Sequence, residues 1–148
     1  MKDIITSSFR RSIETKEAFL ARETDSIQNA AQLIVSCFRA GNHFFLCGNG
    51  GSASDAQHIA TELTIRYKSG NERVSLPAIS LSSDSGALTA CGNDYGFDQV
   101  FSRQLEGLGR PGDVLLGIST SGNSPTAQPA ALWTRCSSPT EIYSPLPH

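Results

Sequence analysis

Apolar positions open the chain in a helical rhythm. Ile5, Phe9, Ile13 and Leu20 recur at three- and four-residue steps, with Lys16 the one polar interruption of the stripe. A second helix is predicted from Asp25, where Gln28 three residues on makes a capping-box pair. It runs through Ile27, Ala31, Ile34 and Phe38 to a stop at Gly41. Both stripes suit packing within the domain, and equally packing against another subunit. The period then changes. His43–Cys47 (HFFLC), Ala78–Leu81 (AISL) and Asp113–Ser119 (DVLLGIS) read as buried strands. Helical stretches lie between them: Ser54 to Tyr67, Asp84 to Ala90, and Gln99 to Leu108. Near-continuous apolar strands with helical crossovers predict an α/β fold, a doubly wound parallel sheet covered on both faces.

After Ser124 the pattern breaks. All 13 glycines lie at or before Gly122, whereas five of the seven prolines lie at or after Pro125. Pro129 would remove a backbone hydrogen bond from any helix begun at Pro125. The expected organisation is therefore a domain over residues 1–124, with its helical segment at 1–40, followed by an irregular tail at 125–148. Without later strands, Val114–Ile118 is expected to be an apolar, unpaired sheet edge that a proline-rich tail cannot cover.

Composition narrows the class. With 148 residues, 39% hydrophobic and 18% charged, the chain reads as one soluble globular domain. A net charge of -2 argues against a nucleic-acid or anionic-membrane surface. No apolar run approaches the roughly 20 residues of a membrane helix, and the opening MKDIITSSFRRSIETK carries no apolar leader segment. Cys37, Cys47, Cys91 and Cys136 lack metal-type spacing, so buried free thiols in a reduced, cytoplasmic protein are expected.

Chemistry concentrates in two loops. The strand ending at Cys47 is followed by Gly48-Asn49-Gly50-Gly51-Ser52 and a helix expected to be capped by Ser54 with Gln57 in the box position. Glycines let a ligand approach the backbone, and a helix N-terminus offers amides and a positive dipole end to an anion. Gly48, Gly50 and Ala53 loosely match a dinucleotide fingerprint. The acid that such a site wants at the end of the second strand is missing, since Glu72 falls in a loop. A tight turn without a ligand is the plainer alternative. His58 and Glu62, four apart, share one helix face. They either line a solvated side with Arg66, or ligate zinc or move a proton. The second loop, Ser119-Thr120-Ser121-Gly122-Asn123-Ser124, offers hydroxyls and amides to phosphate oxygens. Neither loop carries Lys or Arg, unlike a nucleotide-hydrolysing P-loop.

Three segments together resemble a known family. CGNGGSASDAQHIATELTIRY, LTACGNDYGFDQVFSRQLEGLG and GDVLLGISTSGNS look like phosphoheptose isomerases, sugar isomerase (SIS) domain proteins, and the resemblance covers Met1 to Ser124. It implies conversion of sedoheptulose 7-phosphate to D-glycero-D-manno-heptose 7-phosphate, which feeds ADP-heptose and lipopolysaccharide synthesis. It further implies a cytoplasmic homotetramer built on the N-terminal helices. Ser119, Thr120, Ser121 and Ser124 resemble the phosphate-binding residues. Asn49, Gly50, Gly51 and Ser52 resemble the substrate loop, and Asn93 with Asp94 fall where the family contacts the sugar. His58 and Glu62 resemble two of four zinc ligands, with Glu62 also the proton-shuttling carboxylate. The family's later Gln and His have no counterpart after Pro125, which suggests a frame change or truncation after Ser124. An alternative from another class is a non-catalytic SIS protein that binds a sugar phosphate or a partner, like the relative that associates with the bacterial replication initiator.

Overall fold

The computed structural model describes residues 1–122, 124–126 and 141–145. Helix α1 spans Lys2–Arg39, and β1 (Phe44–Gly48) leads into α2 (Gly51–Thr64). There follow β2 (Ala78–Ser80), α3 (Ser85–Asp94), a 3-10 turn at Phe97–Gln99 and α4 (Ser102–Leu108). Strands β3 (Val114–Ser119) and β4 (Glu141–Pro145) complete the described elements. The chain divides into two compact units, Met1–Leu33 and Ile34–His148.

The expected pair of N-terminal helices is one continuous helix of 38 residues. The polar stretch read as a break is bridged along the helix. Thr24 Oγ1 donates back to the Leu20 carbonyl, and Ser26 Oγ donates to Glu23 Oε2 at 3.1 Å. Short polar side chains that satisfy themselves locally are tolerated inside a helix, so Asp25 and Gln28 cap nothing. The stop at Gly41 is as expected. Gly41 adopts φ 77°, its N–H donates to Phe38 O, and the Asn42 N–H reaches Cys37 O, both at 3.0 Å. That pair of bonds is a Schellman closure, which needs a left-handed residue at this position.

In the second unit the strands run parallel in the order β2-β1-β3-β4. Strand β1 lies inside the sheet, and all five of its residues are buried. This is why its sequence is apolar without alternation. Phe45, Cys47, Leu81, Val100, Phe101, Leu105 and Leu115 form the core on which β1 packs. Asp113, itself buried, aligns the strand starts: its Oδ1 accepts from the His43 N–H and its Oδ2 from the Arg110 N–H, both at 2.7 Å. Phe44 thereby pairs with Val114, and the register runs on to Gly48 opposite Ile118. Cys37, Cys47 and Cys91 are buried free thiols, as expected; burial pushes the Cys47 thiol up to about 12, so it stays protonated. Cys136 lies outside the described residues.

The tail is not uniformly irregular, and β3 is not an open edge. Residues 141–145 add a fourth parallel strand, pairing Leu115 with Glu141 through to Ser119 with Pro145. The reason is local. The segment Glu141–Ser144 between Pro139 and Pro145 contains no proline, and Pro145 occupies the strand's last position, where a missing N–H costs little. The expected boundary at residue 124 accordingly falls inside a unit that continues through β4.

Candidate functional site

The sheet order decides where a ligand can sit. From β1 the chain crosses to β2 on one side, and β3 returns on the other, so the loops after β1 and β3 diverge at their shared edge. In open parallel sheets this switch point, at the C-terminal ends of the strands, forms the ligand crevice. The β1–β3 register places the glycine loop beside the hydroxyl loop.

The glycine loop is tighter than its sequence suggests. Helix α2 starts at Gly51, with Gly50 as its N-cap at φ 57° and no side-chain cap. Ser54 and Gln57 therefore do not form the expected box; Gln57 Nε2 instead donates to Ser82 O at 3.0 Å. The amides of Ser52 and Ala53 donate to Asn49 O and Gly50 O, both at 3.1 Å. The Ser52 and Ala53 amides are thus engaged within the turn. Gly48 is fixed by proximity: a Cβ there would lie 2.7 Å from the Ser52 carbonyl oxygen. Ser82, just past β2, accepts from the Gly48 N–H at 3.3 Å and donates to Gly48 O at 2.9 Å.

The hydroxyl loop begins in the buried Ser119 and continues through the exposed Thr120 and Ser121, with Ser119 and Ser121 Oγ 3.4 Å apart. Gly122 turns the chain at φ 68°; Asn123 lies outside the described residues. Asn49 Nδ2 donates to Thr126 Oγ1 at 2.6 Å and approaches Ser124 Oγ at 3.4 Å, so the two loops are joined. Sequence reading missed Thr126 and Ser82. Ser82 lies among Ser80, Ser83 and Ser85, and Thr126 just past Ser124, but nothing local singles out either one, and only the fold brings each to Gly48 or Asn49.

His58 and Glu62 do converge, with Nε2 and Oε1 3.2 Å apart on the α2 face. Arg66 does not join them; it pairs with Glu72 at 2.7 Å. That pair also removes the acid of the dinucleotide reading, and the second strand ends in Ser80, with Ser82 just past it. Asn93 Nδ2 donates to Asp94 Oδ1 at 2.7 Å, at the end of α3. Among the described residues no hydrogen bond links that pair to either loop.

A family model described as SIS domain matches residues 9–135. The chain belongs to that family. Within it, the phosphoheptose isomerase of Chlorobaculum parvum is 55% identical over 124 residues, covering 84% of this chain and 59% of that protein. The phosphoheptose isomerase of Chlorobaculum tepidum is 48% identical over 134 residues, 90% of this chain and 64% of its own length. Among solved structures, the phosphoheptose isomerase of Neisseria gonorrhoeae superposes with a TM-score of 0.82 at 42% identity, covering 90% of this chain and 68% of that one. The resemblance drawn from the three motifs holds for fold and family. This SIS chain spans less than two thirds of the length of those curated relatives.

Zinc, implied by the resemblance, asks for three or four protein ligands. His58 and Glu62 are donors of the right kind, one nitrogen and one oxygen, but among the described residues no group of three or more His, Cys, Asp or Glu converges. The described donors by themselves do not make a zinc site.

Proposed function

We propose that this SIS domain binds a seven-carbon sugar phosphate at the β1–β3 switch point and is built for aldose–ketose isomerisation of sedoheptulose 7-phosphate. The observation that carries the reading is the joining of the hydroxyl loop to the glycine loop at the β1–β3 switch point. Neutral hydroxyl donors suit a phosphate that must enter and leave. Isomerisation moves a proton between adjacent carbons through an enediol, which needs one carboxylate base near the carbonyl end. Glu62, held by His58, is our candidate. Anchoring the phosphate supplies the orientation. The relatives named phosphoheptose isomerases support the substrate class, and a role in supplying ADP-heptose for lipopolysaccharide follows from the same resemblance. His58 and Glu62 are the donors that the described residues would offer to zinc. Isothermal titration with sedoheptulose 7-phosphate tests the site: Ser119→Ala and Ser121→Ala should each weaken binding roughly 10- to 100-fold, as expected for a lost hydrogen bond to a charged group. Unchanged affinity in both variants removes the loop from the site.

We further propose a homotetramer in the cytoplasm. In the first unit Ile5, Phe9, Ile13 and Leu20 stay more than half exposed, an apolar stripe along one helix. No described helix is long and apolar enough to cross a membrane. Light scattering should give about four times the 15.8 kDa protomer mass. Phe9→Glu with Ile13→Glu should reduce it, and a monomer mass for the unsubstituted chain sinks the assembly.

A further inference from the structure

We propose that Thr126 is a positioning residue that fixes the direction in which Ser124 donates its hydrogen bond, and so couples the sugar-facing loop to the phosphate-facing loop. Thr126 is only 2% exposed. Its Oγ1 lies 2.6 Å from Asn49 Nδ2 and 2.9 Å from Ser124 Oγ. An amide nitrogen can only donate, so Thr126 Oγ1 accepts from Asn49. A threonine hydroxyl has one hydrogen. Spent on Ser124, it makes Ser124 Oγ the acceptor and leaves the Ser124 hydrogen for a ligand outside the pair. The opposite direction would use Thr126 as a double acceptor. Its own hydrogen would then need a further acceptor beside a side chain that is itself buried from water, where an unmet donor is costly.

The result is a directed chain from the Asn49 amide through Thr126 and Ser124 to an anionic oxygen. Successive donors in a row polarise one another, which strengthens the last bond. A phosphate accepting from Ser124 would tighten the hold on Asn49, and a sugar hydroxyl ordering Asn49 would tighten the hold on phosphate. Coupling of this kind is reciprocal. The inference rests on the sugar-phosphate reading of the crevice and adds to it a residue that touches no ligand.

The test compares Thr126→Val, which keeps the shape and deletes the hydroxyl, with Thr126→Ser, which keeps the hydroxyl. Sedoheptulose 7-phosphate and inorganic phosphate are titrated calorimetrically into each, and thermal melting reports folding. Thr126→Val should weaken both ligands about 5- to 10-fold, and Thr126→Ser should stay within about 3-fold of the unsubstituted chain. In the Ser124→Ala background Thr126→Val should cost little more, because Thr126 acts through Ser124. Should Thr126→Val fail to fold, Thr126→Ala supplies the hydroxyl-free variant. Unchanged binding in the hydroxyl-free variant, equal losses in the Ser and Val variants, or full additivity with Ser124→Ala would each overturn the proposal. Thr126-dependent binding of inorganic phosphate without binding of the sugar phosphate leaves this inference standing and removes the substrate reading. Binding of neither ligand overturns both.

Discussion

Replacing Gly48 with alanine is expected to cost about 3 kcal/mol, the upper end of the usual cost of overpacking, because the neighbour it meets is backbone. The methyl group would meet the Ser52 carbonyl oxygen at 2.7 Å, and the Ser52 carbonyl carbon and Cβ at 2.8 Å. Two of those three atoms are backbone in the first turn of α2, so no rotamer change relieves the clash. Either the turn opens or α2 shifts off β1. Gly51→Ala is the control, because a Cβ there meets nothing within 4 Å and the residue is already helical. It should be neutral or stabilising by up to about 1 kcal/mol, the propensity difference between the two residues. Thermal melts followed by circular dichroism would separate the two, with a fall of roughly 10 °C expected for Gly48→Ala. A melting point for Gly48→Ala equal to that of the unsubstituted chain would show that the close approach is not a constraint.

The largest chemical effect is expected at Glu62. Glu62→Gln keeps the shape and the contact with His58 Nε2 but removes the basic carboxylate, and should lower proton transfer about 10²–10⁴-fold. Exchange of the substrate's carbon-bound hydrogen with deuterated water is the measurement, because it registers the first half of the reaction even where net conversion is slow. Two donors fall short of a zinc site, so zinc titrated into this chain should bind weakly, and Glu62→Gln should weaken it further. Binding of sedoheptulose 7-phosphate should change far less than the rate, since the proposed phosphate contacts lie on the loop after β3 and Glu62 lies on α2. Equal exchange rates in the two proteins would remove Glu62 as the base. Stoichiometric, tight zinc binding by this chain would show that donors beyond the described residues complete the site.

Much of the site was legible because it is written in short, contiguous stretches. The apolar run before Gly48, the glycines after it and the hydroxyls after Ile118 each signal their own local structure. His58 and Glu62 meet because helical periodicity alone puts residues four apart on one face. The capping boxes expected at Asp25 and Ser54 do not form, because a box is a local preference that a competing bond, near or distant in sequence, can displace. Thr24 and Ser26 bond within a helix that continues, and Gln57 finds the Ser82 carbonyl across the sheet.

What the sequence determined by itself is the α/β class, the strands β1, β2 and β3 to within a residue at their ends, the Gly41 stop and the family. All of these follow from periodicity, from conformational preference or from motifs that need no distant partner. The tertiary structure decided that Gly48 has no room for a Cβ while Gly51 has, since Ser52 folds against Gly48 and nothing lies within 4 Å of a Cβ on Gly51. It also decided that Glu141–Pro145 extends the sheet, because parallel pairing depends on an edge supplied by β3 more than 20 residues earlier. And it brought Thr126 to Asn49 across 77 positions of sequence, a contact made by the alignment of β1 with β3 rather than by anything in either segment alone.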